Sequence, residues 1–135
     1  MAILVPDTGE VIALSYLTGK TGTTEALILR LFQNNITPAE ADTAATYTQA
    51  TFTGYVALTL TPATWTVTGG APTSAAYPQQ SFTSTAGAQN QSIYGYYLVR
   101  ATSLDLVYAE RFSDGPYSIV NNGDAIKVTP TITAD

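Results

Sequence analysis

The ionisable groups of this 135-residue chain are ten carboxylates, five basic side chains and nine tyrosines; histidine and cysteine are both absent. Without histidine the commonest general base, proton shuttle and transition-metal ligand is missing. Without cysteine there is no disulfide, thiolate nucleophile or thiolate metal site. The densest group of carboxylates is Asp105, Glu110 and Asp114. Acid–base pairs must converge on one bond, whereas residues five apart on a strand point to opposite faces. Asp105 and Glu110 therefore read as solvated hairpin charges, with Glu110, Arg111 and Asp114 forming surface ion pairs worth less than about 1 kcal/mol. Against a partner subunit such charges would set orientation rather than affinity. Asn121-Asn122-Gly123-Asp124 resembles part of a calcium loop but lacks the later bidentate glutamate, so a hairpin turn is the better reading. Gly19-Lys20-Thr21 ends like a phosphate loop, yet no glycine stands five residues earlier and no parallel-sheet pattern surrounds it. No catalytic, cofactor or metal site is assigned, and the chain is expected not to be an enzyme. Tyrosine is the enriched group. Under strict alternation Tyr94 and Tyr96 share a face, which suits core packing, a protein interface or stacking on a sugar.

These residues need a scaffold, and composition bounds it. The chain is 45% hydrophobic and 11% charged, against about 25% charged in an average soluble domain. Such a surface must be covered by hydroxyls and amides, or by another protein. A net charge of −5 cannot displace counterions along a phosphate backbone, so no nucleic-acid partner is expected. Apolar runs fall far short of the roughly 20 residues that cross a bilayer, and no membrane partner is expected. Met1 to Asp7 lacks a basic leader and an apolar signal core, which reads as a mature cytoplasmic product. The length predicts a single domain over 1–135, with an N-terminal arm and helix over about 1–19.

Asp7-Thr8-Gly9-Glu10 has capping-box spacing and predicts a short helix from about Thr8 to Leu17, with Val11, Leu14 and Leu17 on its sheet-facing side and Gly19 as its stop. Leu27, Leu29 and Leu31 alternate with Ile28, Arg30 and Phe32, predicting a buried central strand ended by Asn34 to Pro38. Ala39 to Tyr47 reads as a loop or single helical turn. Thr51 to Leu60 predicts a strand with Phe52, Val56, Leu58 and Leu60 on one side and Tyr55 on the other. Short strands follow near Trp65 and near Tyr77 to Phe82. Ile93 to Val99 and Leu104 to Phe112 form a hairpin, with Leu104, Leu106, Tyr108 and Phe112 on one parity. Tyr117 to Val120 and Ala125 to Thr133 complete the set, with Pro130 placing the last half-strand at an edge. Seven or so strands with turns about every ten residues predict an all-β, antiparallel β-sandwich, jelly-roll-like or Ig-like, with one short N-terminal α-helix.

The order Val-Pro-Asp-Thr-Gly-Glu (5–10), Leu-Arg-Leu-Phe-Gln-Asn-Asn-Ile-Thr-Pro (29–38), Tyr-Thr-Gln-Ala-Thr-Phe-Thr-Gly-Tyr (47–55), Ile-Tyr-Gly-Tyr-Tyr-Leu-Val (93–99), Tyr-Ala-Glu-Arg-Phe (108–112) and Asn-Gly-Asp (122–124) resembles a group of small virion structural proteins of tailed phages. The resemblance spans nearly the whole chain and marks strands and turns rather than chemistry. It implies an accessory capsid protein, a cement or decoration subunit, assembled into virions in the host cytoplasm. Its partners would be the major capsid protein or other virion subunits, clamped through buried area and added strand pairing. A homo-oligomer, dimer or trimer, is expected from the low charge and the tyrosines. The expected protein-interface residues are Ile3, Leu4 and Val5, as an arm laid on a neighbour or on the chain's own core, with Tyr94, Tyr96, Glu110 and Arg111. A tail or neck component, or a carbohydrate-binding host-recognition module, is the alternative.

Overall fold

The computed structural model describes residues 5–18, 24–70 and 72–134. One helix, α1 (Asp7–Leu17), precedes β1 (Leu27–Phe32), β2 (Leu58–Leu60), β3 (Thr66–Thr68), β4 (Thr73–Ala76), β5 (Gln80–Thr83), β6 (Gln91–Ile93), β7 (Gly95–Arg100), β8 (Leu106–Arg111), β9 (Tyr117–Ile119), β10 (Ala125–Val128) and β11 (Thr131–Ala134). All pairings are antiparallel: a four-stranded sheet ordered β2-β1-β7-β8, a three-stranded sheet β11-β4-β3, and the pairs β10-β5 and β6-β9. The architecture is the expected sandwich-like stack of antiparallel sheets with one short helix, not a closed barrel.

The central position of β1 follows from its two apolar faces. Leu27, Leu29 and Leu31 turn to one side, where Leu60, Tyr96, Leu98 and Tyr108 join them beneath Phe82 and Ile126 of the β5-β10 pair and Ile93 and Ile119 of the β6-β9 pair. Ile28 and Phe32 turn to the other, with Tyr97, Val99, Leu106 and Ala109, under a cover that supplies Ile36, Ala44 and Tyr47. That cover holds a 3-10 turn, Ala44–Thr46, and lays Tyr47 on Tyr97 with ring centroids 5.0 Å apart.

The expected strand over Thr51 to Leu60 shrinks to Leu58–Leu60. The chain turns instead at Gly54, whose φ is +94°, so that the Tyr55 hydroxyl accepts a hydrogen bond from Leu31 N at 3.1 Å. A side chain thus takes the place of a ladder bond where β2 ends. Phe52 is buried and Val56 is 66% exposed, so the two do not share a face. The last expected strand divides at Pro130 into β10 and β11, and β11 lies at a sheet edge as its proline requires.

Parity changes twice in the long hairpin. Tyr94 and Gly95 together face Phe32: Tyr94 N donates to Phe32 O at 3.0 Å and Gly95 is the register partner of Phe32. The offset puts Ile93 and Tyr96 in one layer and Tyr94 and Tyr97 in the other. In β8, Leu98 pairs with Tyr108 but Val99 with Leu106, which leaves Val107 as the extra residue of a bulge. Leu106 and Tyr108 therefore fall on opposite faces, contrary to simple alternation.

The helix sits on β8 but turns a different side inward from the one expected. Gly9 is buried, Ile12 and Tyr16 are half-buried, and Val11 and Leu14 are exposed; the side chain of Leu17 and all of Gly19 lie outside the described residues. Glycine decides the face, because a Cβ at Gly9 would overlap the Val107 carbonyl and Val5 Cγ1. Only that side of the helix can approach so closely, and Ile12 and Tyr16 lie above it at i+3 and i+7. The capping box does not form. The N-cap is Pro6, without a side-chain cap, and Asp7 and Glu10 occupy the first turn, where acidic groups favour the positive helix end.

A Cβ at Gly95 would collide with the Glu110 carbonyl and the Phe32 ring. Gly95→Ala should therefore cost about 3 kcal/mol, as overpacking that backbone cannot relieve, seen as a lower urea midpoint at unchanged slope.

Candidate functional site

Glu110 does not face solvent. Opposite Tyr96 in the ladder and two residues from Tyr108 on the same face, it is only 9% exposed. Tyr96 Oη donates to Glu110 Oε2 at 2.6 Å and Tyr108 Oη to the same oxygen at 2.9 Å. The two rings lie 5.9 Å apart, with Phe112 6.2 Å from Tyr96. Burial pushes both phenols far above their ordinary range. For Tyr96 the neighbouring Tyr108 and Glu110 add to the effect, and for Tyr108 the Glu110 charge does. Two phenols this reluctant to ionise act as hydrogen-bond donors to a buried carboxylate, the requirement for keeping such a group inside a fold. Asp105 lies five residues away along the strand, about 16 Å at strand rise, exposed in the hairpin turn where Ser103 Oγ donates to its Oδ2 at 2.7 Å. The carboxylates do not converge. The expected ion pairing of Glu110, Arg111 and Asp114 is likewise not formed; among the described residues the one ion pair joins Arg100 to Glu25.

Arg111 and Tyr94 form a separate tie. The guanidinium lies over the Tyr94 ring at 5.0 Å and donates to Ile36 O at 2.7 Å and Asn35 Oδ1 at 2.8 Å. It fastens the end of β8 to the turn after β1. Val5 is half-buried and packs against the chain's own core, beside the fully buried Pro6, the second of the two placements expected of it; Ile3 and Leu4 lie outside the described residues. Of the seven expected interface residues, Val5, Tyr94, Tyr96, Glu110 and Arg111 are thus held by internal contacts. Tyr96 and Glu110 are buried, facing each other across the β7-β8 ladder on the core side of the sheet.

The remaining carboxylates near turns also have internal roles. Asp124 Oδ2 accepts from Val120 N at 2.8 Å and Asn121 N at 2.7 Å, and these amides, Asn121 first, hold its carboxyl below the usual range. The expected tight turn is formed, but it is not a hairpin, since β9 pairs with β6 and β10 with β5; among the described residues no cluster of three or more His, Cys, Asp or Glu gathers. Glu25 is held below its usual range chiefly by the Thr102 amide, at 2.9 Å, and also by Arg100. The segment containing Gly19, Lys20 and Thr21 lies outside the described residues. No described helix is long and apolar enough to cross a membrane.

Two cavities of about 320 Å³ each open on the surface. One is an apolar groove under α1, lined by Ile12, Tyr16, Leu27, Trp65 and Val107, with Glu25 and Arg100 in its wall. The other lies beside Phe112 and Tyr117, whose rings are 5.2 Å apart, with Ser118, Asp124 and Lys127 around them.

The feature that the tyrosines and carboxylates hid is an uncharged stretch of strands. No charged side chain occurs between Asp42 and Arg100. That stretch supplies β2 to β6, including the whole of β3 and β4 in the three-stranded sheet. β3 is exposed at every residue, and Val67 within it is 71% exposed. The spacing of charges along the sequence was the signal that would have found it. No family model, curated protein or solved structure matches the chain.

Alkaline stability tests the buried tyrosines. The fold raises the phenol pKa of Tyr47, Tyr55, Tyr96, Tyr97 and Tyr108, in each case first through burial. The unfolded chain releases these protons near about pH 10 while the native chain keeps them, so stability is whole below that pH and falls as pH rises beyond it. Phenolate absorbance should appear in two stages, exposed tyrosines first and the buried set only with loss of structure. Tyr96→Phe should cost about 1.5–3 kcal/mol, the worth of a hydrogen bond to a carboxylate, measured by chemical unfolding at neutral pH.

Proposed function

We propose that this chain is a non-catalytic structural subunit of a tailed-phage particle, an accessory capsid protein of the cement or decoration type that binds and stabilises the major capsid shell. The observation that carries the reading is the division of labour among its side chains. Glu25, Asp42, Glu110, Arg100, Arg111 and Asp124 tie the chain to itself, while the surface between Asp42 and Arg100 presents hydroxyls, amides and aliphatic groups with no charge. A surface of that kind suits burial against another protein, because contact desolvates no ions. The resemblance in motif order to small virion proteins agrees with it. Binding to the assembled shell and not to its free subunits would stabilise the shell by mass action.

A glycan-binding host-recognition module is the second reading, favoured by the half-open cavity beside Phe112 and Tyr117. Tyr94 and Tyr96 no longer serve it, since both rings are packed internally. An aromatic ring exposed beside Ser118 and Lys127 has the chemistry for stacking on a sugar face. Tyr117→Ala should then abolish retention on a glycan array while the circular dichroism spectrum stays native, the loss of its packing on Phe112 lowering the unfolding midpoint only modestly.

Quantitative protein gels of purified particles separate the positions. A cement subunit should be present in copy numbers comparable to the shell protein, and particles lacking it should lose their contents at lower temperature. A few copies per particle would indicate a tail or neck component, and particles with none of the chain would end the virion reading.

A further inference from the structure

We propose that β3 is a homotypic contact: two copies of the chain pair antiparallel through their β3 edges, joining two three-stranded sheets into one six-stranded sheet across a two-fold axis. β3 hydrogen-bonds to β4 on one side only. On the other, the outward half of its backbone amides and carbonyls has no partner among the described residues. Unpaired edges of this kind recruit further strands unless lysine, proline, a bulge or a covering segment blunts them. Thr66-Val67-Thr68 contains no charge and no proline, its register with β4 is continuous, and it is exposed along its whole length. Its one protection is brevity, which makes the contact weak rather than absent.

Charge selects the occupant. A chain of net charge −5 repels its own copies wherever acidic groups meet, and the β3 edge is a place where they do not. Glu25 and Arg100, in the wall of the groove that Trp65 lines just before β3, are joined to each other as an ion pair. A partner for β3 must itself offer an uncharged, unpaired edge, and a second copy does. The strand also reads alike in both directions. A two-fold axis through Val67 sets Val67 against Val67 and Thr66 against Thr68, matching apolar with apolar and hydroxyl with hydroxyl. Val67 is 71% exposed in the single chain, and pairing would shelter it.

The inference deepens the structural-subunit reading by naming one contact, yet is tested on the isolated full chain. The sequence has no cysteine, so Val67→Cys introduces a lone thiol. Two-fold pairing brings the two Cβ atoms to about 4.5–5.5 Å, near the span of a disulfide. Val56→Cys serves as the control, since Val56 is 66% exposed but lies outside β3. Under mild oxidation the Val67→Cys chain should form covalent dimer at least about tenfold faster than the control, as paired thiols sense a far higher effective concentration. Sedimentation of the unmodified chain at high micromolar concentration should show a dimer that Val67→Lys dissociates, with circular dichroism and unfolding midpoint unchanged in both variants. Equal cross-linking rates, a monomeric unmodified chain, or a dimer indifferent to Val67→Lys would each overturn the contact. Dimerisation through β3 by a chain missing from particles would uphold the contact and refute the virion reading; a β3-independent monomer incorporated into particles would do the reverse.

Discussion

The structure depends on one strand that has no solvent-facing side. β1 places Leu29 and Leu31 in one layer and Phe32 in the other, all fully buried, and each such side chain contributes about 1.5–3 kcal/mol when removed from water. A strand of that character cannot sit on a half-exposed sheet, so both faces must be roofed. The small β5-β10 and β6-β9 pairs roof one, and the segment after β1, through Ile36, Ala44 and Tyr47, roofs the other. The irregular segment holds its position by internal bonds. Asn34 spans to Thr46 O and Thr48 N, and Tyr47 Oη donates to Asp42 Oδ2 at 2.8 Å, so a loop does the work that a second full sheet does in a symmetric sandwich.

Much of this architecture was legible in the residues. The two-sided alternation of β1, the Asn-rich stop after it, the long hairpin, the turn at Asn121 to Asp124 and the edge position imposed by Pro130 all follow from local chemistry that tertiary contacts did not override. The errors of strand face have a common physical source. Alternation assigns faces only while the ladder is regular, and the offsets at Tyr94-Gly95 and at Val107 leave no mark in hydrophobic pattern. The offset at Tyr94-Gly95 separates Tyr94 from Tyr96, and the one at Val107 separates Leu106 from Tyr108; Glu110 was misassigned for another reason, since alternation already puts it on the face of Tyr108 and only its charge argued for solvent. The helix face was misread for a related reason: Val11 and Leu14 are more apolar than Gly9, but the absence of a side chain, rather than the presence of one, set the distance of approach.

Charge shapes the molecule by its location more than by its amount. The acidic and basic groups lie in the two ends of the sequence, and Glu25, Asp42, Arg100, Glu110, Arg111 and Asp124 are bound there to amides, carbonyls, phenols or one another. The middle of the sequence is free of them, and it provides strands on both the core and the outer sheet. A surface built of threonine, serine and glutamine keeps its water by many weak bonds that a neighbouring protein can replace one for one. Ionic groups in the same place would impose a desolvation cost on every contact.

The bulge at Val107 has a second effect beyond redirecting its neighbours. By interrupting the ladder at the sheet's edge it provides the surface on which Gly9 rests, so the fault in β8 and the seat of the helix are one structure. The two ends of the polypeptide's first hundred residues are thereby interlocked: loss of a single residue ahead of Tyr108 would restore a regular ladder and, in the same step, remove the platform beneath α1. The tolerance of this hairpin to insertion or deletion is set by a helix that shares no strand with it.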